Sequence, residues 1–418
     1  METIERTPTP ADLPPIPEGY SVTAEEALRI ADQDATVQAE RRRRGELTAD
    51  VTADSPLKWE VGYFAGGDKV VLVVVDGTDG AVLESWTGEQ VAWPMARGRS
   101  GQFGHVLNAP YVWIPLALIF LLSLLDFRRP WRIVHLDLLV LLSFGVSHVF
   151  FNNAEIGVSV PLYYPPLLYL LGRMLWIGFR GGEPLDPSLG RGGLKWLVIL
   201  CVLLAVFRVT INLADSGVID VGYAGVIGAD RITDAEPIYG EEAFPDDNPT
   251  GDTYGPANYF AYVPFEQIFP WSGSWDTLPA ARAAALFFDF MTLAGLIVLG
   301  LRLAGRRLAA TLAVAWLAYP YSAFVLQSNA NDAFVAALIV WALAFFAQPL
   351  TRGALLAVAA AAKFAPLALA PLFLAGRGSL PGTLSTRSGR IAALLFTLAF
   401  LFTAALFVAH PAIDPGLA

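Results

Sequence analysis

Residues 207–232 read FRVTINLADSGVIDVGYAGVIGADRI, and their reading decides the rest of the chain. Arg208 lies inside an apolar run, and Asp220 follows a few residues past its end. From Ala214 to Ala280 the chain is polar, with twelve acidic residues against one base, Arg231, between hydrophobic spans. Pro, Gly, Tyr and Trp recur through it, in EPIYG (236–240) and in GDTYGPANYFAYVPFEQIFPWSG (251–273). A disordered acidic tail lacks aromatics. The stretch therefore reads as a folded extracytoplasmic loop carrying the chemistry of a membrane enzyme.

Composition agrees with a membrane class: 55% hydrophobic residues, 16% charged and a mean hydropathy of +0.50. A net charge of −10 argues against nucleic acid as a partner and leaves membrane lipids as the surroundings. The single cysteine, Cys201, lies in an apolar span, so packing is its role and no disulfide framework follows. The expected class is a mainly α, polytopic integral membrane protein, a helical bundle with a small α+β domain at its amino end.

Spans near the twenty residues of a bilayer crossing are expected at about 110–126, 134–152, 159–179, 193–213, 281–302, 308–326, 331–347 and 391–410. Arg128, Arg129 and Arg132, then Arg180, Arg191 and Lys195, then Arg302, Arg306 and Arg307 fall on one side. Basic loops face the cytoplasm, which puts 214–280 outside, and the amino-terminal domain with it. Residues 352–375 suit a broken hairpin, entering to Lys363 and returning after Pro366, because one crossing would place Arg377, Arg387 and Arg390 outside.

The first 17 residues are a polar, proline-rich tail without the apolar core of a signal peptide. TAEEALRIADQDATVQAERRRR (23–44) predicts one helix, with Thr23 as N-cap, acids in its first turn and Arg41–Arg44 as a solvated basic end. KWEVGYF (58–64), KVVLVVVD (69–76) and AVLESWTG (81–88) predict three strands, with DGTDG (76–80) as a turn. This order resembles the PepSY-type domain over residues 18–95. The resemblance implies a regulatory or protein-binding role, and the segment holds no catalytic constellation. Residues 105–192 would then supply three additional membrane helices.

Ionisable residues inside spans cost several kcal/mol if unpaired, so each is a functional hypothesis. They are His148, Arg173, Arg208, Asp289, Asp332 and Lys363. His148 and Arg173 lie near span ends. Asp289 is a pairing partner for Arg208, and Asp332 suits an N-cap. Arg208, Asp332 and Lys363 map to the face where the acidic loop begins.

The order of a membrane helix, Asp220 in IDVGYAG, Gly228, Pro237–Tyr239, YGPANY and FAYVPFE resembles the first luminal loop of GT-C glycosyltransferases. SNAND (328–332) and AAKFAPL (361–367) are similar to the SND-like and K-x-x-P elements of the bacterial polyprenyl-phosphate-mannose-dependent members. The resemblance covers about 193–410 and makes 193–418 a GT-C-like core. Three spans precede the matching first helix, the loop is longer than the family's, and few helices follow before HPAIDPGLA, so a chain truncated at its C-terminus is expected.

The resemblance implies inverting sugar transfer from a polyprenyl-phosphate donor to a lipid or glycan acceptor. Asp220 matches the catalytic carboxylate that takes the acceptor hydroxyl's proton. Lys363, Arg208 or Arg282 would steady the departing phosphate. Tyr223, Asp230, Asp252, Tyr254, Asn331 and Asp332 complete the expected substrate-binding set. No metal ligand set is assigned; the loop acids leave room for a divalent cation, Mg or Mn, and DDNPTGD (246–252) is loosely like a calcium loop. Two other classes stay open: a transporter or flippase, which also uses broken helices and buried charges, and a PepSY-type sensor anchored by its spans.

Overall fold

The computed structural model describes residues 13–54, 57–93, 96–97, 106–127, 129–180, 193–240, 243–245, 248, 250–376 and 380–409. The chain divides into two compact units, 1–102 with 146–162 and 103–145 with 163–418.

In the first unit, α1 (Ala24–Asp32) and α2 (Ala35–Arg44) precede β1 (Thr48–Asp54), β2 (Lys58–Ala65), β3 (Asp68–Asp76), β4 (Val82–Thr87) and the short α3 (Glu89–Ala92). The single helix expected over 23–44 is two. Asp34 is extended and its carboxylate accepts from the Thr36 amide at 2.8 Å, an N-cap that restarts the helix. Thr23 caps α1 as expected, accepting from the Glu26 amide. The strands form an antiparallel meander in the order β1-β2-β3-β4. β1 is an addition to the three expected strands: TADVTAD looks too polar, yet Ala49 and Val51 are buried and pair across to β2. Period-two alternation turns Trp59, Val61, Tyr63, Val71, Val73 and Val75 into one core with Ala27, Ala31 and Val37. The DGTDG turn closes as an Asx turn, Thr78 N donating to Asp76 Oδ1 at 2.7 Å. The basic run is tied up locally, Arg41 with Asp32, and Arg43 and Arg44 with Glu40.

The remaining helices are α4 (Pro110–Leu124), α5 (Ile133–Phe151), α6 (Ile156–Arg180), α7 (Leu194–Asp215), α8 (Asp220–Thr233), α9 (Pro256–Glu266) and α10 (Pro279–Ala304). After them come α11 (Arg306–Ala318), α12 (Pro320–Gln327), α13 (Asp332–Ala344), α14 (Pro349–Ala362), α15 (Ala370–Ala375), α16 (Leu380–Ser385) and α17 (Arg387–Val408). Four of them, α5, α7, α10 and α17, are long and apolar enough to cross a membrane. A fifth follows if α11 and α12 are one span, bent by 57°. The bend falls at Tyr319, extended because Pro320 follows it. The spans expected at 110–126 and 331–347 shrink to helices of 15 and 13 residues. The 25-residue α6 carries Tyr163, Tyr164, Pro165, Pro166 and Arg173.

Two features organise the helical unit around its polar residues. Arg208 of α7 and Asp289 of α10 are both buried and joined by two hydrogen bonds of 2.7 and 2.9 Å. Trp316 Nε1 donates to the same carboxylate, and Arg208 also donates to Ser322. Removing one partner of such a pair strands a buried charge, which costs about 3–5 kcal/mol. Arg208→Met is therefore expected to lower the unfolding midpoint sharply in detergent, and Arg208→Met with Asp289→Leu to recover most of it; equal midpoints for the single variant and wild type would refute the clamp.

The second feature is the hairpin after α13. α14 ends at Ala362, Lys363 after it is extended, and a 3-10 turn (Ala365–Leu369) leads into α15. Phe373 then packs on Phe346, and Gly376 lies against the Arg352 guanidinium. The chain that leaves through α14 has thus returned to the level where α14 began, with Lys363 at the tip.

Candidate functional site

The polar stretch 214–280 is not a simple loop. It contains α8 and α9, whose buried faces form one core with α10, α13 and α14. Gly222, Gly225 and Gly228 recur every three residues along one side of α8. A side chain would meet the Asn329 carbonyl at Gly222, the Tyr262 ring at Gly225 and the Tyr259 ring at Gly228. That glycine spacing is the signal for α8 in the sequence, and the aromatic repeat of α9 is its complement. Tyr259 Oη then donates to the Gly251 carbonyl at 2.6 Å, and Tyr239 Oη to the Tyr254 carbonyl at 2.8 Å, pinning the connecting segment.

Helix ends meet here. Asp220 is the first residue of α8 and Asp332 the first of α13, while Lys363 caps the C-terminus of α14. Each charge matches the dipole of its own helix end. The ends are held together through the main chain. Ile219 N donates to the Ser328 carbonyl at 3.1 Å and Gly255 N to the Ala362 carbonyl at 3.2 Å. A side chain at Gly255 would collide with the Ala361 carbonyl. Asn329, left-handed at φ +48°, donates to Ser216 and Gly217 and accepts from Asn212.

Across this junction Lys363 Nζ donates to Asp332 Oδ1 at 2.5 Å, and the Asp220 carboxylate is exposed. Burial pushes the Tyr254 hydroxyl up, and the charges of Asp220 and Asp332 push it further. The main-chain bonds from Ile219 to Ser328 and from Gly255 to Ala362, with the Lys363–Asp332 pair, gather the helix ends that carry Asp220, Asp332 and Lys363 at one junction. Asn248 Nδ2 donates to the Asp220 carbonyl at 3.0 Å, and Asn331 Nδ2 to Asn258 Oδ1 at 2.6 Å.

Other expected residues lie elsewhere or serve the scaffold. Arg208 is engaged by Asp289 and Ser322. Arg282 donates to the carbonyls of Thr277 and Ser216, holding the start of α10 to the strand of chain that leads into Asp220. Tyr223 is buried and stacks on Trp275 at 4.7 Å between centroids. Asp230 is ten residues along α8 from Asp220, roughly 15 Å by helical rise. Its carboxyl is raised by burial and by the neighbouring Glu266, Asp234 and Glu236. Asp252 lies near Tyr239, whose hydroxyl burial and that charge push up to about 12. Asn248 and Asn258 are the residues that the sequence did not single out. Among the described residues no three His, Cys, Asp or Glu side chains converge on a metal position. Asp246 and Asp247 of the DDNPTGD run lie outside the described residues.

No known protein family, curated protein or solved structure matches this chain. Its function is therefore argued from this junction alone. The spot combines an accessible carboxylate, a tyrosine whose hydroxyl that charge pushes up and a partly exposed cation on an ion pair. That is an equipment for taking a proton from a hydroxyl beside an anionic group.

Proposed function

We propose that the chain is a membrane glycosyltransferase of GT-C type. It moves a sugar, mannose in the members it resembles, from a polyprenyl-phosphate donor to an extracytoplasmic lipid or glycan acceptor with inversion. The observation that carries this reading is the junction of Asp220, Tyr254, Asp332 and Lys363 at converging helix ends. Asp220 takes the acceptor proton while the sugar carbon leaves the donor phosphate, and Lys363 meets the charge that develops there. The Lys363–Asp332 pair has side chains 30% and 53% exposed. Pairs of that exposure contribute about 0–1 kcal/mol, so exchanging Asp332 for a phosphate costs little. Beside Lys363, Phe364 is 85% exposed. An apolar groove of about 280 Å³ begins four residues after Lys363, lined by Leu367, Pro371, Leu374, Phe396 and Phe400. It offers a prenyl chain a course next to the phosphate position. The setting is a bacterial cytoplasmic membrane, with 214–280 outside and a PepSY-like domain as the regulatory part.

Labelled prenyl-phosphate sugars offered to membranes holding the protein test the reading: the donor is consumed and its sugar becomes acceptor-linked. A flippase, which the 57° break between α11 and α12 would suit, moves the donor without consuming it. Orientation is tested in a Cys201→Ala background. Ser274→Cys, exposed in the acidic stretch, is expected to react with an impermeant thiol reagent on intact cells, and Arg129→Cys only after lysis. Labelling in the reverse pattern overturns the orientation, and the transferase reading with it.

A further inference from the structure

Buried polar atoms without a partner are rare in folded proteins, and each needs a reason. Three of those among the described residues lie on or against α9: Asn258 Nδ2, Tyr262 Oη and Asn331 Oδ1. Asn258 and Tyr262 stand four apart on α9 and so share a face of that helix. Asn331 is hydrogen-bonded to Asn258 and immediately precedes Asp332. The Tyr262 hydroxyl feels Asp332 and Tyr254, members of the site. All three side chains are fully buried, whereas Asp332 beside them is half-exposed.

The open valences are one amide donor, one amide acceptor and one hydroxyl that does both. Turning both amides over exchanges their ends and still leaves one donor and one acceptor open, so this does not depend on amide assignment. None of the three carries charge. Such a set does not fit a phosphate or a carboxylate, which ask for donors only. It fits an oxygen that both gives and takes a hydrogen bond, which is a hydroxyl group or water.

We propose that Asn258, Tyr262 and Asn331 form a hydroxyl-reading subsite for a neutral polyol ligand, one hydroxyl of which enters between them beside Asp332. The inference rests on reading the junction as a sugar-handling site, and it names the residues that recognise the sugar. The selectivity follows from the buried valences. A ligand lacking that hydroxyl leaves them open, which sites built for hydrogen bonding reject strongly. Tyr262 sets the depth of the subsite because its ring already lies against Gly225 and has no room to shift further toward α8.

The test uses the full-length protein in detergent, with methyl α-D-mannopyranoside, methyl α-D-glucopyranoside and their monodeoxy analogues as probes and binding read by saturation-transfer NMR. Wild type is expected to lose roughly tenfold or more in affinity for one deoxy analogue of its preferred hexoside. Tyr262→Phe and Asn258→Ala are expected to weaken the parent hexoside and to bring that ratio to about one. The unliganded Tyr262→Phe variant is expected to unfold no earlier than wild type, since it discards a buried hydroxyl that has no partner. The proposal is overturned if wild type binds neither hexoside. It is also overturned if both variants keep the wild-type deoxy ratio, or if empty Tyr262→Phe unfolds markedly earlier, the sign of a resident structural water. Donor consumption measured in parallel separates the two readings. A hydroxyl-selective hexoside site without donor consumption sinks the transferase and spares the subsite; donor consumption with unchanged ratios does the reverse.

Discussion

Asp220→Asn is expected to lower sugar transfer by roughly 100- to 10,000-fold, the range for loss of a general base. The substitution keeps the shape of the side chain at the head of α8 and its capacity to accept a hydrogen bond, and removes basicity. Donor-lipid binding should survive, because Asp220 does not hold the phosphate in this reading. Three rival carboxylates sharpen the measurement. Asp230, roughly 15 Å along α8, and Asp252, near Tyr239, should tolerate Asn with little loss of turnover. Asp332 shares the junction, so a dead Asp332→Asn beside an active Asp220→Asn would move the base to α13 and leave the enzyme class standing. Full activity in all four variants would remove the enzyme reading itself.

Lys363→Met is expected to abolish transfer while leaving folding nearly untouched. The ion pair it breaks is exposed on both sides and contributes about 0–1 kcal/mol, so a lost activity is not a lost fold. Lys363→Arg should keep a fraction of the rate: the charge remains at the hairpin tip, but a planar fork replaces a compact ammonium. The unfolding midpoint measured with turnover decides the matter. Wild-type turnover in Lys363→Met would mean that the lysine only satisfies Asp332.

The apolar helices were legible in position, and among the described residues four or five of the eight expected spans are long and apolar enough to cross a membrane. Their ends were less so. α13 stops at Ala344 although apolar residues continue, because Arg302 donates to the Ala344 carbonyl and Arg352 to that of Phe346, capping the turn from outside the helix. Asp289 announced itself as the partner of Arg208, since charge in an apolar run asks for a counter-charge. The split of the 23–44 helix was written in Asp34 followed by Ala-Thr, a cap inside what looked like continuous helix. β1 was hidden because its burial comes from the sheet and not from its own composition. At the site, the individual charges stood out, but their company did not. That Lys363 would meet Asp332 depends on Gly255 letting α9 touch the end of α14, a close approach no local pattern records. Asn258 looked like any residue of an aromatic loop until its amide proved to pair with that of Asn331.

The clamp between α7 and α10 also has a meaning in time. Arg208 is synthesised 81 residues before Asp289. At roughly 5–20 residues per second, the arginine waits about 4–16 s for its counter-charge. In the membrane setting proposed above, α7 would carry an unpaired guanidinium during that interval, which adds about 2.5–3.5 kcal/mol to bilayer insertion. Final seating of α7 thus belongs to the arrival of α10, which brings the carboxylate that pairs with Arg208.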